Sequence, residues 1–371
     1  MLILFFTSFF LSLVGLLGIL MMSVLFPLMA ILIYGVRKTF KLCETQNDSI
    51  TPQEPSKLKI IIPTHNEEDN IAITLSSIFN QTGICNRETS NNLCFKDIEI
   101  TVVLDGCSDS TRIIAEQYQN VKFIVHERPY GKWWSIKEAC QLDRSASWIA
   151  LVDAGTYWPP DLLAELNHFF SNPHYVGLAP AYRNTAASFV EAVSWEFERS
   201  LKALENHAGG PISVHGATVF YRTNALMEAF ECLEDNTWLN DDVVLPLTIR
   251  SLFPFKKLQY LPQYYVEDRS KNGEQKDELT RRKRMTKGNL EWIVASFWRK
   301  DILVRILALR RIARLMWAYW ILCILSLLFL LGTSGVLLFF LISIALYQLS
   351  PFRASLGFLG LLFHKGALSW K

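Results

Sequence analysis

Charge is missing from two long stretches of this sequence, residues 2 to 36 and residues 315 to 352. Each exceeds the roughly 20 residues that a bilayer-spanning helix needs, so neither reads as part of an ordinary soluble domain. Cysteine is scattered: the seven, at 43, 85, 94, 107, 140, 232 and 323, form no CxxC pair and no spacing suited to zinc or to a disulfide framework. Their odd number fits a reducing compartment. Net charge is almost absent, with 37 Lys and Arg against 35 Asp and Glu, which argues against nucleic acid as the main partner. There is no internal repeat and no low-complexity tract.

The amino terminus reads as a retained membrane anchor, residues 1–36. No Lys or Arg precedes Arg37, and the apolar run is far longer than the core of a cleaved signal peptide. As a helix it would measure about 52 Å, too long for one ordinary span and barely enough for a tight hairpin around Gly15 and Gly18. One span and a hairpin both stand. At the other end, residues 315–350 predict a transmembrane helical hairpin broken at Gly332-Thr333-Ser334-Gly335, with a tail at 351–371. Basic residues flank the middle of the chain on both sides: Arg37, Lys38 and Lys41 before it, Arg299, Lys300, Arg305, Arg310, Arg311 and Arg314 after it. The positive-inside rule then turns the central domain toward the cytoplasm.

Residues 37–57, rich in Thr, Gln, Asn and Pro, read as a linker. Beyond it, apolar runs at 58–62, 98–104, 121–125 and 148–152 alternate with helical patterns at 67–80, 109–119, 132–142 and 160–170. That alternation predicts an α/β domain over 58–290 with a mainly parallel, Rossmann-like sheet. Residues 291–314 keep apolar positions at helical spacing with arginines between, the pattern of an amphipathic interfacial helix.

Three apolar runs stop at polar groups: Pro63-Thr64-His65-Asn66-Glu67-Glu68, Asp105-Gly106 and Asp153-Ala154-Gly155. The carboxyl ends of parallel strands are where open α/β sheets bind ligands. A carboxylate there serves a helix cap as readily as a ligand, and Asp109 is better placed than Asp105 for capping.

These fragments, together with Val103-Leu104-Asp105-Gly106-Cys107-Ser108-Asp109-Ser110-Thr111, Gly131-Lys132, His215-Gly216-Ala217 through Arg222 and Asn240-Asp241-Asp242-Val243-Val244-Leu245-Pro246, stand in the order and at the spacings of the family 2 glycosyltransferases. The chain resembles that family over about residues 58 to 290. The resemblance implies a GT-A fold, a nucleoside-diphosphate sugar donor with uridine the expected base, Mg²⁺ or Mn²⁺, and inversion at the anomeric carbon. It makes Asp242 the general base and gives Asp153 the metal and diphosphate. Pro63, His65, Glu67 and Asp105 fall in the donor site, Asp105 and His65 on the nucleoside. Lys132, Arg281 and Arg284 become phosphate contacts, and His215, Gly216 and Asp241 fall on the acceptor side. Plainer roles exist: a helix N-cap pair for Asp241-Asp242, a solvated or lipid-facing patch for the basic run, a structural loop histidine for His215.

Two departures bear on function. The usual Asp-x-Asp is here Asp153-Ala154-Gly155, as in ceramide glucosyltransferase-like members. The Gln-or-Arg-x-x-Arg-Trp of processive members is Arg281-Arg282-Lys283-Arg284-Met285, without the aromatic on which a sugar could stack. With few membrane segments, these favour non-processive transfer to a membrane lipid, a lipid-linked glycan or a growing polysaccharide. A processive polysaccharide synthase stands as the alternative. A non-catalytic, membrane-bound binding or assembly subunit is the alternative of another class.

Overall fold

The computed structural model describes residues 2–26, 28–29, 32–33, 57–81, 95, 97–184, 189–233, 237–270, 275–297, 302–348 and 350–357. The expected linker, apart from Lys57, and most of the expected tail lie outside the described residues. In chain order the elements are α1 (Leu2–Leu20), β1 (Lys57–Thr64), α2 (Ile71–Phe79), β2 (Asp97–Asp105), α3 (Thr111–Ala115), β3 (Val121–His126), α4 (Lys132–Leu142), β4 (Trp148–Val152), β5 (Thr156–Tyr157) and α5 (Leu162–Phe170). They continue with β6 (Tyr175–Asn184), α6 (Phe189–Glu205), β7 (Thr218–Arg222), α7 (Thr223–Cys232), α8 (Asp241–Leu252), β8 (Lys257–Asp268), α9 (Gln275–Phe297), α10 (Ile302–Leu315), α11 (Trp317–Leu325), α12 (Gly332–Tyr347) and α13 (Ser350–Leu356). Two compact units result, Val36–Asn272 and Met1–Gly35 with Gly273–Ser369.

In the first unit one sheet runs in the order β3-β2-β1-β4-β7-β6-β8-β5. β1, β2 and β4 are buried almost end to end, as strands covered on both faces must be. They pair parallel with one another and with β3. The second half departs from the expected parallel sheet: β7 enters antiparallel between β4 and β6, and β5 pairs antiparallel with β8. The sheet is therefore mixed. Its core holds Trp148, Trp158, Phe170 and Phe220, all fully buried. Both indoles are satisfied, Trp148 donating to the carbonyl of Phe170 and Trp158 to Thr218 Oγ1.

Strand register decides where the polar ends fall. Thr64 stands beside Leu104, and Asp105 beside His126, so these strands end together at one edge. Asp153 follows directly on β4. At the opposite, amino edge, Glu99 gathers three lysines: Lys57 at 2.6 Å, Lys122 at 2.8 Å and Lys59 at 3.7 Å. That carboxylate ties the starts of β1, β2 and β3.

In the second unit α1 runs straight through Gly15 and Gly18, so the glycines make no hairpin turn. They make room instead. A Cβ on Gly15 would lie 2.5 Å from the carbonyl of Trp320, and one on Gly18 would lie 2.3 Å from its indole. Ser12 donates to the carbonyls of Cys323 and Ile324 and Ser326 to that of Ser8. Small and hydroxylated residues thus let α1 lie closely along α11, the packing usual for apolar helices. Phe5–Leu25 and Trp317–Tyr347 are long and apolar enough to cross a membrane. The latter turns at Gly332, whose φ is +66°. Where one amphipathic helix was expected over 291–314, α9 runs on to Phe297 and α10 starts at Ile302, the two packing on each other.

Candidate active site

The carboxyl edge of the first unit holds a cluster built from three places in the sequence. Gly131, at φ +101°, lets the chain turn sharply into α4, so that Lys132 opens the helix. Its Nζ lies 2.8 Å from Asp153 Oδ1 and 3.2 Å from Asp241 Oδ1. Asp241 and Asp242 are the first residues of α8, where the helix dipole favours negative charge. The Asp241 carboxylate is directed to Lys132. Burial works against the charge on Lys132, but Asp153, Asp241 and Asp242 outweigh it and raise its pKa well above that of a free lysine.

Gly216 forms the floor between these groups. A Cβ there would stand 3.4 Å from Asp153 Oδ2, 3.7 Å from Asp242 Cβ and 3.9 Å from Lys132 Nζ. The loop is held by the amide of Val214 donating to the carbonyl of Asp242. His215, next to it, is buried against the ring of Tyr182 with Tyr260 OH 3.4 Å from Nε2. Burial and the nearby Lys202 push its pKa down to about 3, so the imidazole is neutral at physiological pH.

Asp105 has surroundings other than those expected of a ligand-facing carboxylate. It is wholly buried. Its oxygens accept hydrogen bonds from the amides of Tyr130 (2.8 Å) and Gly131 (2.7 Å) and from His126 Nδ1 (2.7 Å), while His126 Nε2 donates to Glu138. Burial opposes the charge on His126, yet the bonds to Asp105 and Glu138 raise its pKa. The motif reading missed His126 and Glu138, although a histidine ending β3 in register with an aspartate ending β2 was a visible signal. His65 Nδ1 donates to the carbonyl of Asp105, and Pro63 is buried in β1. Glu67 accepts from Asn70 and lies near enough to Asp153 that burial, with that charge, raises its pKa.

Gly155, where the second carboxylate of Asp-x-Asp would stand, is closed to any side chain. Its φ is +89°, and a Cβ would lie 2.6 Å from that of Ser270. Its amide donates to Thr74 Oγ1 and its carbonyl accepts from the amide of Arg269. The position is committed to joining β4 with the end of β8. Arg281 and Arg284 lie on α9, in the other unit, with Arg284 half-buried.

The expected divalent cation can be tested against these donors. No three His, Cys, Asp or Glu side chains among the described residues stand together as a ready cation site. Asp153 offers one carboxylate, about two-fifths exposed, whose Oδ2 faces the space over Gly216. That fits a hard cation held mainly by diphosphate and water oxygens, a set that Mg²⁺ accepts.

Residues 59–233 match the family model described as glycosyl transferase family 2, and residues 148–350 match that of glycosyl transferase family group 2, the latter more than half of the chain. The chain is a family 2 glycosyltransferase. As such it transfers a sugar from a nucleoside-diphosphate sugar. The transferase is 23% identical over 301 residues to the poly-beta-1,6-N-acetyl-D-glucosamine synthase of Staphylococcus epidermidis, spanning 77% of this chain and 68% of that one. Among solved structures it is similar to the mannosyltransferase PcManGT from Pyrobaculum calidifontis in complex with GDP-Man and Mn²⁺, with a TM-score of 0.61 and 16% identity over 95% of this chain and 96% of that one. That likeness gives the transferase a mixed α/β, Rossmann-like GT-A fold.

Proposed function

We propose that this membrane-bound transferase extends a polysaccharide processively from a UDP-sugar, inverting the anomeric carbon at the cluster around Gly216. What carries the reading is the convergence of Asp153, Asp241, Asp242 and Lys132 on one glycine floor at the sheet's carboxyl edge. An acceptor hydroxyl attacks from the face opposite the diphosphate through an oxocarbenium-like state. Asp242 takes its proton, and Lys132 offsets the charge that builds on the departing diphosphate. The family resemblance further assigns Arg281 and Arg284 to the donor phosphates. Pro63, His65 and Glu67 shape the nucleoside end, and His215, Gly216 and Asp241 line the acceptor side. A divalent cation beside Asp153 would supply further stabilisation of the diphosphate.

Polymer synthesis stands ahead of single-sugar transfer because a polysaccharide synthase is similar over 77% of this chain. Gly155 does not argue against it, since that position serves the sheet rather than marking a lost ligand. Transfer of one or a few sugars to a lipid keeps one observation in its favour. Met285, where processive members carry Trp, is exposed.

The test is release of nucleoside diphosphate by the purified full chain in lipid, with UDP- and GDP-sugars, with and without Mn²⁺, beside Asp242→Asn. Release that Asp242→Asn abolishes, with products of many sugars per acceptor, is the expected outcome. Products of one or two sugars would overturn processivity. No release with any donor, given membrane lipid extract, would overturn the transferase reading of this cluster.

A further inference from the structure

The turn Pro129-Tyr130-Gly131 delivers Lys132 to the acidic residues. Gly106 lies beneath it at φ +64°, where a Cβ would stand 2.5 Å from Pro129 N and 2.7 Å from the carbonyl carbon of Arg128. Consecutive amides, Tyr130 and Gly131, donate to the two oxygens of one buried carboxylate, Asp105. Two such bonds fix both the position and the direction of the peptide plane, and charge makes them strong. Asp105 is fixed in turn. Its Oδ1 accepts from His126 Nδ1 at 2.7 Å, and His126 Nε2 donates to Glu138 Oε2 at 2.7 Å, on the same helix that Lys132 begins. Tyr130 closes over the imidazole edge to face, ring centroids 5.1 Å apart. Strand β2, strand β3, the turn and α4 are thus joined in a ring of polar contacts one residue from Lys132.

We infer that His126 and Glu138 are positioning residues for the donor: with Asp105 they clasp the 130–131 turn and so set the reach of Lys132 to the diphosphate. This rests on the donor-site reading of Lys132. Small displacements of a phosphate-binding ammonium weaken binding steeply, because both Coulomb attraction and hydrogen-bond geometry fall away together. His126→Phe keeps a ring against Tyr130 while removing both hydrogen bonds, and leaves the buried Asp105 carboxylate one donor short.

The experiment measures donor KM, kcat per active molecule and thermal midpoint for the full chain in lipid. It takes the parent, His126→Phe, His126→Gln, Glu138→Leu, Glu138→Gln, Lys132→Ala and the double variant Lys132→Ala with His126→Phe. The clasp predicts that His126→Phe and Glu138→Leu raise donor KM by about tenfold or more, beyond any change in kcat. Glu138→Gln, whose amide still reaches the ring, recovers most of the loss. The double variant has the KM of Lys132→Ala, because His126 acts through Lys132. Unchanged KM in His126→Phe and Glu138→Leu, a fall in midpoint and kcat alone, or a further KM increase in the double variant would each overturn the clasp. If His126→Phe fails to fold, His126→Gln and Glu138→Leu carry the same comparison, Glu138 being 45% exposed. A parent without turnover sinks the donor reading itself, whereas an active parent with indifferent variants sinks the clasp alone.

Discussion

Restoring the second carboxylate of Asp-x-Asp by Gly155→Asp should damage this protein rather than improve it. Gly155 has φ +89°, and a Cβ would stand 2.6 Å from Ser270 Cβ, 3.0 Å from its Cα and 3.3 Å from its amide nitrogen. The left-handed backbone costs an L-residue about 1–2 kcal/mol, somewhat less for Asp, and overpacking adds about 1–3 kcal/mol. The backbone cannot easily move aside, because its amide holds Thr74 and its carbonyl holds Arg269. A destabilisation of roughly 2–5 kcal/mol follows, a fall in thermal midpoint of about 4–20 °C for a domain of this size. Thermal unfolding of the purified chain measures the fall, and Mn²⁺ titration by electron paramagnetic resonance measures the site. No gain in Mn²⁺ affinity is expected. Adding Ser270→Gly removes the nearest of these contacts but leaves those to Cα and the amide nitrogen, and should recover part of the overpacking share while the backbone cost stays. A Gly155→Asp variant with an unchanged midpoint, or one that binds Mn²⁺ more tightly at no cost in stability, would refute this account of position 155.

Gly216→Ala should leave the thermal midpoint within a few degrees, since its Cβ meets neighbours at ordinary van der Waals distance, yet lower sugar transfer by narrowing the space between Asp153, Asp242 and Lys132; unfolding and turnover measured side by side check both halves. Glu99→Gln should destabilise by about 1–3 kcal/mol in denaturant titrations, through weakened bonds to Lys57 and Lys122. Burial opposes ionisation of Glu99, but Lys122 and Lys57 hold its pKa below the usual value, so its contribution is present above the ordinary glutamate range and lost as pH falls through the folded pKa. His215 acts in the same direction by another route. Its pKa falls from 6.5 to about 3, so the unfolded chain binds a proton that the folded chain refuses across that window. Stability therefore drops as pH falls, by at most about 1.4 kcal/mol per unit, and His215→Phe should flatten that slope in unfolding measured against pH.

The parallel half of the sheet was legible because strands buried on both faces are written as unbroken apolar runs that end abruptly, as at Asp105 and Asp153. The family was legible for the same reason, since its motifs sit where those runs stop. β6 and β8 escaped notice because Gly177, Pro180 and Pro262 break the strand pattern, and the structure absorbs two of those breaks as register shifts against β8. Gly15 and Gly18 left a hairpin open beside a single span because sequence alone cannot tell a glycine that bends the chain from one that admits a neighbour. The partner of Gly155 lies at Ser270, more than a hundred residues on, beyond the reach of any local pattern. Asp105 stands at the expected edge, but its direction depends on His126 and on two amides from a different loop.

The serines and glycines of α1 carry a consequence for how the molecule is made. Ser12 bonds carbonyls of α11 some 312 residues later in the chain. At roughly 5–20 residues per second, the ribosome needs on the order of 15–60 s to supply that partner. During this interval the whole sugar-transferring domain is synthesised before the closing helix exists. Final packing of α1 on α11 is thus a late event in biogenesis, and a chain that stalls short of residue 317 leaves α1 without the surface that its small residues are shaped to meet.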